Sequence, residues 1–401
     1  MKVSAGKEPY RSDPKSHVVK LSGSWWSELS LGIAKETTEI EGESIWAKVR
    51  GSLLSLLDWL PLLGLLSVPH YYLVRKDPQS YFGDRDQWGF YNAIADQGAA
   101  DEIFKVPCSP AADSVKHVQK KTLTAGKVVH LSIPSSFEPV NPDFTDRYWK
   151  HHAHRHIKSE LWVHEGEPRP TFIVVHGYDT EIYGINRGLF STRELYDMGC
   201  NICLIKLPFH RSKMKSFAET THFFRHGPAY TNEVMAHAVH DCRTMISYMM
   251  DQQIASKVAI GGISLGSFVA SLVVSAEKRL HAAVIIDPVY NLSDSLIEWP
   301  PVNKLIVKLL AQQGISFQQF RHAYACCNAL TFEPVLASDR IMIIGSLYDR
   351  IAIPRYVKLL GEHWNQCLLV WKGYSHVGVP VSQPFWTEIK AHLTDTGFIE
   401  P

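Results

Sequence analysis

No charge of either sign dominates the 401-residue sequence, with 41 Lys+Arg set against 40 Asp+Glu. A chain without a global field has no reason to attract a polyanion, and a compact or apolar ligand suits it better. The aromatic residues are spread along the chain rather than interleaved with basic clusters, which argues against nucleic-acid binding. Internal repeats and long low-complexity tracts are missing, so neither a solenoid nor a fibrous architecture is expected. The N-terminal stretch "MKVSAGKEPYRSDPKSH" lacks the apolar core of a secretory signal. The cysteines are few and odd in number: Cys108, Cys200, Cys203, Cys242, Cys326, Cys327 and Cys367. Scattered through apolar contexts, they read as reduced thiols, and a cytoplasmic location is expected. Cys200 and Cys203 have CxxC spacing without a second pair, at the start of a predicted strand where positions three apart face opposite ways, so no metal or redox site is expected.

What is present organises into two parts, an N-terminal extension over 1–115 and an α/β domain over 116–401. The extension opens with about 40 polar residues. An amphipathic helix is then predicted around 44–68, because Ile45, Val49, Leu53, Leu56 and Leu60 recur at steps of three and four until Pro61 ends or kinks it. Its densest apolar part, Leu53 to Val68, would span roughly 24 Å as a helix against about 30 Å of bilayer hydrocarbon, and Asp58 and Pro61 argue further against a simple span. Two readings stay open: a stripe docked on the protein's own core, or an interfacial helix in peripheral contact with a membrane. Docking on the core is the expected one, and Trp59 with Lys48, Arg50, Arg75 and Lys76 keeps the second open.

From Lys127 onward, short apolar runs alternate with helical ones. "KVVHLSIP", "ELWVHE", "TFIVVHG", "NICLIKLP", "KVAIGGI", "HAAVIIDP", "RIMIIGS" and "QCLLVWKG" predict eight strands. The later ones are continuously apolar, as strands buried on both faces are, so the expected fold class is three-layer α/β with a mostly parallel sheet and an antiparallel edge from the first two runs. Residues 291–335 break the alternation with a largely helical stretch, expected as a helical cap above the sheet.

The chemistry centres on "GGISLG". A strand ends near Ile260, a helix begins near Phe268, and the GxSxG pattern occupies the turn, which is the setting of a nucleophile elbow. Alone, the pattern occurs by chance in about one chain in ten of this length; strand before and helix after reduce that considerably. Ser264 is thus the candidate nucleophile, with the backbone N–H of Leu265 facing a developing oxyanion. "TFIVVHGYD" ends a strand in His176, Gly177 and Tyr178, and a backbone N–H near Tyr178 is the candidate second oxyanion donor. Downstream, Asp349 and His376 follow successive strands, giving the order Ser, Asp, His of an acid and base serving a serine. Asp287 in "VIIDP" is a competing acid; His363 lies in a helical stretch at the wrong end of the sheet to compete as base.

"VVHGYD", "LPFHRSK", "GGISLG", "GSLYDRIAIP" and "YSHVG", in that order, resemble the α/β-hydrolase superfamily over about residues 125–398, in the manner of its poorly characterised members. "LPFHRSK" is similar to a segment often reading LPGHG, with Phe209 and Arg211 in place of small residues, which is expected to narrow the pocket entrance. The resemblance implies a serine hydrolase mechanism on a carboxylic ester or thioester, needing no metal or organic cofactor; the expectation of an apolar, lipid-like acyl part comes from the cap helices and the near-neutral charge. An acyltransferase using the same triad and a non-catalytic binding module are the alternatives. The histidines His152, His154 and His156 are ascribed to a polar connection rather than a metal site, and His237 with Asp241 to a surface pair.

Overall fold

The computed structural model describes residues 10–11, 23–30, 45–82, 84–151, 155–180, 182–210, 226–365, 367–380 and 384–400. His152, His154 and Arg211 lie outside the described residues.

Ten strands form one sheet: β1 (Tyr10–Arg11), β2 (Lys116–Leu123), β3 (Gly126–Pro134), β4 (His156–His164), β5 (Arg169–Val175), β6 (Asn201–Lys206), β7 (Ala255–Ile263), β8 (Leu280–Ile286), β9 (Ile341–Ser346) and β10 (Leu368–Lys372). Their order is β1-β10-β9-β8-β7-β5-β6-β4-β3-β2. The stretch from β6 through β10 is parallel, because each of these strands returns through helices packed on the sheet. β2, β3 and β4 pair antiparallel at one edge. β2 is a strand that the apolar pattern does not announce: its side chains, "KHVQKKTL", are exposed almost throughout, as suits an edge.

Apolar side chains of successive positions pack on opposite faces, giving one cluster on each side of the sheet. Cys200 and Cys203 fall into different clusters, with the sheet between them. The helix Leu265–Ala276 is buried at every residue, as a helix crossing between sheet and a further layer of helices must be. Pro228–Asp251 covers it. Between β8 and β9 lie three helices, Leu292–Glu298, Val302–Gln312 and Phe317–Ala325.

The chain runs from β5 to β6 on one side and then crosses to β7 on the other. That reversal opens a crevice at the carboxyl ends of β5 and β7, where ligands bind in open α/β sheets.

The N-terminal segment corrects an expectation. Helix runs from Ile45 to Leu54, through turns at 55–58, and on through a π-helical stretch at Leu62–Ser67 to Lys76. Pro61 does not end it: the Leu57 carbonyl that a Pro61 N–H would have met accepts from Leu60 N–H instead (3.2 Å), and the helix resumes in the π-helical stretch. By length and composition alone, Ile45–Lys76 could cross a membrane. Yet the apolar stripe is not docked on the core: Ile45, Leu53 and Leu60 are 68, 63 and 74% exposed. Gly51, Ser55, Asp58 and Leu62, spaced by four, three and four, face inward instead.

Two smaller expectations are also corrected. His237 and Asp241 do pair, but in the interior, where His237 stacks on Phe137 and its Nδ1 lies 2.7 Å from the Tyr148 hydroxyl. Phe209 is fully buried against Tyr148 and Tyr230 and does not line the pocket.

Candidate active site

Ser264 sits between β7 and the helix Leu265–Ala276 with φ +56° and ψ −117°, a backbone state that L residues rarely adopt. Its surroundings hold it there. The Ser264 N–H donates to Ile286 O (2.9 Å), and the Ser267 hydroxyl accepts from Ile286 N–H (2.7 Å), stitching the turn to β8. The flanking glycines have no alternative. A Cβ on Gly262 would lie 2.3 Å from Gly266 O, and one on Gly266 would lie 2.1 Å from Val175 O. Helix and strands therefore pass too closely for any side chain at either position.

From this elbow a hydrogen-bonded chain runs to β9 and β10. Ser264 Oγ lies 2.9 Å from His376 Nε2, and His376 Nδ1 lies 2.6 Å from Asp349 Oδ2. The other carboxylate oxygen of Asp349 accepts the N–H groups of Ile351 and Ala352 at 2.7 and 2.8 Å. With Asp349 Oδ2 as acceptor, the neutral imidazole carries its proton on Nδ1 and presents the Nε2 lone pair to the serine. Burial alone would lower the pKa of His376, but the neighbouring charge and hydrogen bond of Asp349, then Asp287 and Asp58, raise it to about 9.

Asp287, the competing acid, ends β8 beside this pair without bonding to the imidazole. Its oxygens accept from the backbone N–H (2.6 Å) and hydroxyl (2.8 Å) of Ser346. Burial, followed by the charge of Asp349, raises its pKa to about 7. The carboxylates of Asp287 and Asp349 and the His376 ring come within 4.8 Å of one another, the distance of a potential cation site. Each carboxylate oxygen and the His376 Nδ1 in that group already has a hydrogen-bond partner, which suits an acid–base relay better than an ion.

The loop after β5 closes the crevice. His176 Nε2 accepts from Leu207 N–H (3.1 Å) and its Nδ1 lies 2.7 Å from Gly177 O, so this histidine fixes the loop and does not enter the acid–base chain. Gly177 is packed close to Ser264: a Cβ there would stand 3.4 Å from that of Ser264. Gly177, Tyr178, Ser264, Leu265 and His376 all line one cavity of about 300 Å³. Its other walls are mostly apolar, with Ile185 and Leu189 on one side, Leu292 and Trp299 from the inserted helices, and Pro61 and Leu66 from the N-terminal segment.

The structure thus brings Ser264, Asp349 and His376 into one chain of contacts and sets Leu265 and Tyr178 on the same cavity. His363 ends the helix Pro354–His363, in the loop leading into β10, while His376 follows that strand. The sequence reading misses Asp58. In a linear reading it is a lone charge in an apolar run; the available signal is that Gly51, Ser55 and Asp58 form a small and polar stripe at helical spacing.

No protein-family model matches the chain. The uncharacterized protein Rv2627c of Mycobacterium tuberculosis (strain ATCC 25618 / H37Rv) is 26% identical over 275 residues, covering 66% of this chain and 64% of that protein. The match therefore spans a little under two thirds of that relative's length. Among solved structures, acetyl xylan esterase 1 from Thermoanaerobacterium sp. JW/SL YS485 superposes with a TM-score of 0.51 at 12% identity, over 78% of this chain and 93% of that one. An acetyl xylan esterase from Paenibacillus sp. R4 gives a TM-score of 0.47 at 14% identity, over 74 and 98% of the two chains. The chain has the α/β-hydrolase fold.

Proposed function

We propose that this protein is a serine hydrolase that cleaves a carboxylic ester or thioester with an apolar acyl part. The observation that carries the reading is the continuous contact chain from Asp349 through His376 to a strained Ser264 opening into an apolar cavity. Ser264 Oγ attacks the acyl carbonyl while His376 Nε2 takes its proton, and Asp349 stabilises the imidazolium. The backbone N–H groups of Leu265 and Tyr178 hold the oxyanion of the tetrahedral intermediate. Collapse expels the alcohol or thiol, which His376 protonates, and leaves an acyl group on Ser264. His376 then deprotonates a water that releases the acid. The solved structure of this fold from Thermoanaerobacterium, which carries the name acetyl xylan esterase, supports the same direction.

A fluorophosphonate probe tests the reading. Wild type is expected to be labelled at Ser264, and Ser264→Ala to lose both labelling and about 10⁵-fold or more of the esterase rate. An unlabelled, folded wild type would mean a binding module. Product analysis with an added alcohol separates hydrolysis from acyl transfer, and p-nitrophenyl esters of rising chain length report how much acyl chain the cavity accepts.

The exposed stripe favours a lipid-like substrate met at a surface. Leu53, Leu56, Leu57, Leu60 and Leu63 point outward from the segment whose Pro61 and Leu66 line the cavity, and Trp46 is 79% exposed. Lys48, Arg50, Arg75 and Lys76 are exposed on the same segment. Apolar side chains with basic neighbours suit peripheral contact with an anionic bilayer.

A further inference from the structure

Asp58 is fully buried, and it belongs to the N-terminal helical segment, more than fifty residues ahead of Lys116 where β2 begins. Its carboxylate accepts three backbone N–H groups from the two loops that carry the acid and the base. Oδ2 takes those of Arg350 and His376, each at 3.1 Å, and Oδ1 takes that of Val377 at 3.0 Å. Two of the three donors are the histidine itself and the residue after it; the third follows Asp349. Neighbouring contacts repeat the pattern. The Arg350 guanidinium donates to the Ser55 hydroxyl and carbonyl at 3.2–3.3 Å and lies over the Trp59 ring, and Ser375 Oγ donates to Leu54 O at 3.0 Å. Gly51 admits the Tyr348 ring where a Cβ would stand 2.1 Å from it.

A carboxylate buried among three N–H donors is well satisfied, and so are the donors; an uncharged replacement leaves at least one of them facing the wrong group. We propose that Asp58 is a positioning residue: the N-terminal segment uses it to clamp the loops of Asp349 and His376 together, so that docking of residues 45–67 and assembly of the acid–base pair are one event. This rests on the hydrolase reading. The chemical reason is geometric, since a base displaced by about 1 Å from its nucleophile loses about 10²-fold in rate. It is also electrostatic. The charges facing His376 are Asp349 from the loop after β9, Asp287 from the end of β8 and Asp58 from the segment, while the nearby Arg350 guanidinium is turned toward Ser55 and Trp59.

The test compares Asp58→Asn and Asp58→Glu with wild type on a soluble p-nitrophenyl ester and with the fluorophosphonate probe. Both are expected to lose about 10²-fold in kcat with KM within threefold. The acidic limb of the pH–rate profile is expected at lower pH in Asp58→Asn, which loses a negative charge near the base, and near its original place in Asp58→Glu. A kcat within twofold of wild type together with an unmoved profile in folded Asp58→Asn would overturn the proposal. A wild type that is not labelled at all would instead overturn the hydrolase reading, and this one with it. Wild type also decides by itself if the variants do not fold. In rising urea below global unfolding, labelling of Ser264 and hydrogen-exchange protection of the 376 and 377 amides are expected to fall together. Labelling that persists after those amides exchange freely overturns the clamp.

Discussion

Two helical segments, one inserted between β8 and β9 and one N-terminal to the sheet domain, are both amphipathic, yet they are turned opposite ways. Val302–Gln312 buries Val302, Ile306, Leu309 and Leu310 and leaves Lys304 and Lys308 in water. Ile45–Ser67 buries Gly51, Ser55 and Asp58 and leaves Leu53, Leu56, Leu57, Leu60 and Leu63 outside. The first is held by apolar area removed from water. The second is held by hydrogen bonds to loops that carry the candidate acid and base, and its apolar face is left for something else. Where a helix buries its polar side, the contact has a use other than stability.

The largest effect that separates them is on stability. Ile306→Ala removes a fully buried side chain and is expected to cost about 3 kcal/mol, whereas Leu60→Ala, at a position 74% exposed, is expected to stay within about 0.5 kcal/mol. Urea unfolding followed by circular dichroism measures both. Equal losses would mean that Leu60 is covered in solution and would break the comparison.

The second effect is on surface binding. Leu56→Ser with Leu60→Ser is expected to weaken sedimentation with vesicles containing anionic phospholipid by about tenfold or more, since each leucine inserted in a bilayer contributes on the order of 1.5–3 kcal/mol. Turnover of a soluble short-chain ester is expected to remain within twofold. If vesicle binding is unchanged, or both activities fall together, the exposed stripe is not a lipid-facing surface.

These contrasts mark how far the sequence could be read. The later strand runs were legible because strands buried on both faces leave no polar alternation to confuse them. β2 was not, because an edge strand needs no apolar residue and "KHVQKKTL" contains little else than polar ones. The juxtaposition of Ser264, Asp349 and His376 was legible because each lies within a few residues of a strand's end, so local pattern and topology coincide. Asp58 was not, because its partners lie near 350 and 376 and nothing within its own turn of helix announces them. The orientation of its helix was misread for the same reason. Periodicity finds the apolar face of a helix, but only the packing decides whether that face meets the core.

The smallest effect distinguishes two carboxylates whose charge acts on the base from different elements, Asp58 from the segment and Asp287 from the sheet. A general base must be neutral to take the serine proton, and His376, raised to about 9, is protonated over much of the neutral range. kcat/KM is therefore expected to climb from neutral pH toward about 9. Asp287→Asn removes one charge that favours the imidazolium but keeps an oxygen to accept the Ser346 N–H, and the Ser346 hydroxyl can turn to accept from the new amide. Its profile is expected to shift to lower pH, raising the rate at pH 7.5 about twofold or more while the alkaline plateau stays within twofold of wild type. Asp58→Asn shares the downward shift and loses the plateau, because only Asp58 also holds the loops in place. If Asp287→Asn lost its plateau as well, the two carboxylates would be equivalent supports, and the clamp would belong to the sheet as much as to the segment.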